Sequence, residues 1–103
     1  MLKFIEQTES MGSHRMGSVN GLHYSDIVEL LGEPNVKDDK TKVDASWCVQ
    51  DKESGATLCV WNYKNGPAYL GSEKSLEDVD NWSVWWSNRN FADKVFGKHV
   101  TVF

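Results

Sequence analysis

The chain has 103 residues, with 11 Lys and Arg against 15 Asp and Glu, a net charge of −4. That length fits one domain, and a 40% apolar content is too high for a disordered chain. The acidic balance argues against a duplex-DNA binder, which carries a basic face, and no run of apolar residues is long enough to predict a membrane span.

The opening Met1-Leu2-Lys3-Phe4-Ile5-Glu6-Gln7 has no apolar stretch before its first acid, so a secretory signal is not expected. Residues 11–21 are rich in Gly, Ser and Met and read as a connector. Within them, Met11-Gly12-Ser13-His14-Arg15-Met16-Gly17-Ser18 reads like a cloning linker, and no function is assigned to it. Residues 1–10 suit a short helix or strand, residues 1–20 as a whole are expected to be a flexible N-terminal segment, and residues 21–103 a single α+β domain.

Residues 24–31 predict a helix, because Ile27, Leu30 and Leu31 share one stripe. His23 or Ser25 suits its start and Asp26 its positive end. Gly32 stops it and Pro34 blocks its continuation. Residues 37–42 are a charged loop. In 43–50, Val43, Ala45, Trp47 and Val49 alternate with polar residues and Cys48, the pattern of a half-buried strand. Asp51 to Gly55 is a turn. Residues 56–63 are apolar on both faces, as in a central strand.

Turn length sets the register of this hairpin. A two-residue loop at Glu53-Ser54 opposes Cys48 and Cys59, whereas a three-residue loop opposes Trp47 and Trp61. The second is preferred, because it pairs two indoles across the strands. Residues 65–80 form a long connector ending in the acids Glu77, Asp78 and Asp80. Residues 81–87 predict a third strand with Trp82, Val84 and Trp86 on one face and Trp85 on the other. Asn90 and Asp93 suggest a capping box for a helix over 91–96, closed by Gly97. His99–Phe103 is a candidate edge strand. The expected fold is α+β: an N-terminal helix, a three-stranded antiparallel meander, a short C-terminal helix and that terminal strand.

Several chemistries are excluded by what is missing. No P-loop, GxGxxG or GxSxG occurs, and no nucleophile–base pair is legible. Cys48 and Cys59 lack metal or redox spacing and are expected to be buried, reduced thiols, with a cross-strand disulfide as the alternative. His14, His23 and His99 stand apart in sequence, and the Glu77-Asp78-Val79-Asp80 acids lack the glycine and closing acid of a calcium loop. An enzyme is not expected, and neither a metal nor another cofactor is called for. The cysteine usage points to a cytoplasmic setting.

The helix, Leu31-Gly32-Glu33-Pro34, Trp47 and Thr57-Leu58-Cys59-Val60 together resemble the helix-then-meander pattern of SmpA/BLIP-like domains. Over residues 24–97 the chain is also similar to small phage- and prophage-encoded accessory proteins, through Gly32-Glu33-Pro34, Trp47, Ala56-Thr57-Leu58, Trp61, Trp82 and the helix at 91–96. Ser83, Val84, Trp85 and Trp86 stand where that phage group carries His and a Gly pair, and Val60 stands in place of its acid. The SmpA-like lipid-anchor Cys is absent. What the resemblance implies is a small accessory protein that works by binding, in a host cytoplasm if phage-encoded.

The five tryptophans are the unusual feature. At least three suit a core, but so small a sheet is expected to leave Trp85 or Trp86 partly exposed. With Trp61, Tyr63, Lys64 and Arg89, these two are the candidate binding residues, a composition typical of interface hot spots. The resulting expectation is a non-catalytic inhibitor or modulator of a host protein, acting through a Trp-rich sheet surface. A nucleotide-sequestering protein is the alternative, with aromatic stacking and a pocket at a homodimer seam. A single-strand nucleic-acid binder is weaker, given the negative charge.

Overall fold

Helices packed on one face of a single sheet give the molecule two layers. The computed structural model describes residues 1–9, 14–37, 40–71 and 73–103. Its strands are β1 (Ile5–Gln7), β2 (Gly17–Asn20), β3 (Ser46–Asp51), β4 (Thr57–Trp61), β5 (Asn81–Trp86) and β6 (Val100–Val102). They form one antiparallel sheet in the order β1-β3-β4-β5-β2-β6. The helices are α1 (Tyr24–Leu31), α2 (Pro67–Leu70) and α3 (Arg89–Phe96). Among the described residues, no helix is long and apolar enough to cross a membrane.

The α+β class stands, but the expected three-stranded meander is only the centre, β3-β4-β5, of a six-stranded sheet. The expectation that residues 1–20 are a flexible segment is corrected at β1 and β2. β2 reads Gly-Ser-Val-Asn and has no strand propensity of its own. It is extended because β5 and β6 supply a ladder on both its sides. α3 connects β5 to β6, and β2 fills the gap between them.

α1 starts at His23, whose N–H donates to the Asp26 carboxylate at 2.9 Å. It stops at Gly32, whose positive φ of 85° lets its N–H return to the Val28 carbonyl. The cap of α3 lies two residues before the predicted one. Asn88 is its N-cap, and its side-chain oxygen accepts from the Asn90 N–H.

Ile27 and Leu31 of α1 and Phe91, Ala92, Val95 and Phe96 of α3 pack on one face of the sheet. That face carries Ile5, Val19, Trp47, Val49, Leu58, Val60, Trp82, Val84 and Trp86. Trp47 and Trp82 stand edge to face, with ring centroids 5.5 Å apart. Their indole N–H groups donate to the carbonyls of Gly32 and Leu22, at 2.8 and 2.7 Å. Both carbonyls flank α1, so the two indoles fix the helix onto the sheet.

The hairpin register differs from the preferred one. Cys48 opposes Cys59, and Trp47 opposes Val60. The strands are joined by four residues, Lys52–Gly55, between Asp51 and Ala56, whose backbones are bonded at 2.8 Å. Asp51 holds the turn by accepting from the Glu53 N–H at 3.1 Å and the Ser54 hydroxyl at 3.0 Å. The Glu53 bond leads the causes that lower the Asp51 carboxyl pKa. A Trp47–Trp61 pair would have put both indoles on one face. The observed register sends Trp47 to the helix layer and Trp61 to the opposite face.

Candidate functional site

The helix-free face is built from cross-strand rows. One row runs Ser46, Trp61, Ser83, Ser18, Thr101 across five strands. The three serines are buried, so Trp61 rises from a floor of small hydroxyl side chains. The adjacent row holds Cys48, Cys59 and Trp85. Trp61 and Trp85 are both half-buried. None of these residues belongs to the core cluster under the helices.

Beside the hydroxyl row lies a concavity of about 360 Å³, lined by Arg15, Trp61, Tyr63 and Ser83. Its lining combines the buried Ser83 with two aromatic residues. Arg15 supplies a cation, and its guanidinium carbon stands 4.5 Å above the Phe103 ring. The Phe103 N–H is bonded to the Met16 carbonyl, which ties the chain end to the segment that carries Arg15.

The loop after β4 and the α2 turn that follows it present a second group of exposed rings. Tyr63 and Tyr69 are about half exposed, and the Lys64 ammonium lies 5.3 Å from each ring centroid. Lys64 adopts a positive φ of 58°, a conformation that is strained for a side chain with a Cβ. Its N–H is held by the Lys42 carbonyl at 2.9 Å.

What fixes this loop is Asn62, which is wholly buried. Its side-chain oxygen accepts from the N–H groups of Asp44 and Ala45, both at 2.9 Å. Its amide donates to the Asp44 carboxylate, which in turn accepts from the Ala68 N–H of α2. Gly66 passes so close that a Cβ there would meet Asp44 and Asn62 side-chain atoms at 2.3 and 2.5 Å. Asn62→Ala strands two backbone donors and is expected to cost about 1–3 kcal/mol in urea unfolding. Asn62→Asp keeps an acceptor but sets a second carboxylate against Asp44, so it is expected to be no milder.

Of the predicted binding residues, Trp61 and Tyr63 line the concavity and Lys64 sits on the adjoining rings. Trp85 shares the helix-free face, one row away. Trp86 does not: it is 6% exposed and packs in the helix-covered core. Arg89 also lies elsewhere, in the first turn of α3, where it pairs with Asp93 at 3.5 Å. Arg89 follows the Trp86 end of β5, whereas Tyr63 follows the end of β4 that pairs with the start of β5. The guanidinium at the site comes from Arg15 instead. Sequence reading missed Arg15 because it sits in a stretch with linker composition, and missed Ser83 because a strand serine carries no signal of its own.

Among the described residues, no group of three or more His, Cys, Asp or Glu stands together as metal ligands. Compared with protein-family models, with curated proteins and with solved structures, the chain matches none.

Proposed function

We propose that this chain is a non-catalytic binding protein, an inhibitor or modulator that engages a host protein through the helix-free face of its sheet. The observation that carries this reading is the concavity walled by Trp61 and Tyr63 with Arg15 at its rim. Trp, Tyr and Arg are the side chains that dominate interface hot spots, because each buries a large area and still offers a polar contact. Half-buried Trp85 and the Tyr63–Lys64–Tyr69 group extend that surface beyond the pocket.

The test is affinity capture from a bacterial lysate with the whole chain, followed by titration of the captured protein. Tyr63→Ala and Arg15→Ala are each expected to weaken that complex by roughly 30-fold or more, the hot-spot range. Arg89→Ala, on the other layer, is expected to bind like the parent. Circular dichroism checks that each variant is folded. Equal binding by all the variants, or a loss as large at Arg89 as at Tyr63, rejects this face.

A second reading rests on the same guanidinium beside the Trp61 and Tyr63 rings, a pairing that suits a planar anion such as a nucleotide. It requires a nucleotide that raises Tm in a thermal-shift series, with the rise abolished by Arg15→Ala. No rise with any nucleotide removes it.

A further inference from the structure

The two cysteines are distant in sequence and adjacent in space. Cys48 on β3 stands directly opposite Cys59 on β4. The Cys48 backbone turns away from β4: its carbonyl accepts from the Thr8 N–H at 2.9 Å, and its own N–H donates to Asn35 at 3.0 Å. The β3–β4 ladder is carried instead by the alternate residues, as at Asp51, whose N–H reaches the Ala56 carbonyl. The cysteine pair therefore occupies a non-hydrogen-bonded site, the closer of the two antiparallel pairings, with Cα atoms about 4.5 Å apart. That lies inside the range of about 4.4–6.8 Å that a disulfide can span. Both residues point to the helix-free face, both are buried, and both are in the thiol form.

We propose that Cys48 and Cys59 are a reversible oxidation site, closing a cross-strand disulfide by exchange with a small-molecule disulfide. The thiolate of one cysteine attacks the external disulfide, forms a mixed disulfide and expels one thiolate. The second cysteine then attacks the protein sulfur of that mixed disulfide and expels the other. Two protein thiols lose two electrons and two protons, and the external disulfide gains them as two thiols. The bond joins β3 to β4 in the row that holds Trp85, next to the row that holds Trp61, so it would stiffen that face. This inference does not depend on what the face binds.

Contact with Cys59 and burial both raise the Cys48 thiol pKa. Little of Cys48 is therefore thiolate at neutral pH, and exchange that starts at Cys48 is slow. In a reducing cytoplasm the pair stays open, and an oxidising setting closes it.

The test is equilibration of the folded chain in glutathione buffers of increasing oxidised share. Samples are quenched in acid, unfolded, labelled with maleimide and weighed by intact mass. The expected product is a monomer lighter by two hydrogen atoms that takes no label and reverts in excess reduced glutathione. Cys48→Ser and Cys59→Ser give no such species. A folded chain that takes two labels at the most oxidising ratio, carries glutathione on one cysteine, or links only between chains overturns the proposal.

Discussion

Replacing Trp47 by alanine is expected to remove about 3–5 kcal/mol, the usual cost of truncating a buried large aromatic residue. Domains of this kind are stable by only about 5–15 kcal/mol in total, so this variant should lie near the edge of folding. The indole is fully buried. It stacks edge to face on Trp82 and lies 5.9 Å from the Tyr24 ring. Its N–H is also the partner of the Gly32 carbonyl that closes α1. Removing the ring leaves a cavity between helix and sheet and strands that carbonyl together. Trp47→Phe separates the two effects: it keeps most of the volume and loses the hydrogen bond, worth about 1 kcal/mol. Urea unfolding followed by far-UV circular dichroism measures both. A Trp47→Ala loss below about 1 kcal/mol would show that this indole does not hold α1 to the sheet.

Gly17→Ala is the second large effect. A Cβ at Gly17 would lie 2.4 Å from the Thr101 carbonyl oxygen and 3.1 Å from the Trp86 ring. The carbonyl belongs to β6, the strand next to β2, and cannot swing aside like a side-chain tip. Trp86 stands on the opposite neighbour, β5, and lies over the notch that the missing side chain leaves. One methyl group therefore pushes against both neighbours of β2. Overpacking of this kind costs about 1–3 kcal/mol and sometimes more, and Gly17→Val should cost more again. The expected structural consequence is that β6 detaches, seen as faster hydrogen exchange of the Val100–Val102 amides. Trp86→Phe in the Gly17→Ala background should recover only part of the loss, because the contact with Thr101 remains. Full recovery, or no loss in the single variant, would refute this account of the notch.

Gly17 also explains where the indole surface went. Five tryptophans look like more than a small sheet can cover. Three are in fact covered: Trp47 and Trp82 by α1 and each other, Trp86 over Gly17. The remaining two, Trp61 and Trp85, stand half-buried on the face without helices. Opposite orientations for Trp85 and Trp86 could be read from strand alternation alone. Which of them would be covered depended on which side α1 and α3 pack, and no local pattern in β5 carries that.

The hairpin gives the same lesson at finer scale. Both strands were legible in the alternation around Trp47 and in the apolar run to Val60. Their offset was not, because a one-residue slip leaves each strand's own pattern intact. It is fixed by two contacts from outside the hairpin, Asn35 bonded to Cys48 and the Trp47 indole bonded to Gly32, together with Asp51, which closes the turn within it.

Legible along the chain were the elements marked by their own residue spacing and breakers. α1 with its stop at Gly32, the three central strands and the C-terminal helix all follow from spacing, caps and breakers. That Gly17–Asn20 is a strand, that Cys48 faces Cys59, and that Arg15 rather than Arg89 stands beside Trp61 and Tyr63 emerges from the folded arrangement alone. The physical reason is that a helix closes its hydrogen bonds within four residues, whereas a strand such as β2 borrows every ladder bond from partners more than sixty residues away.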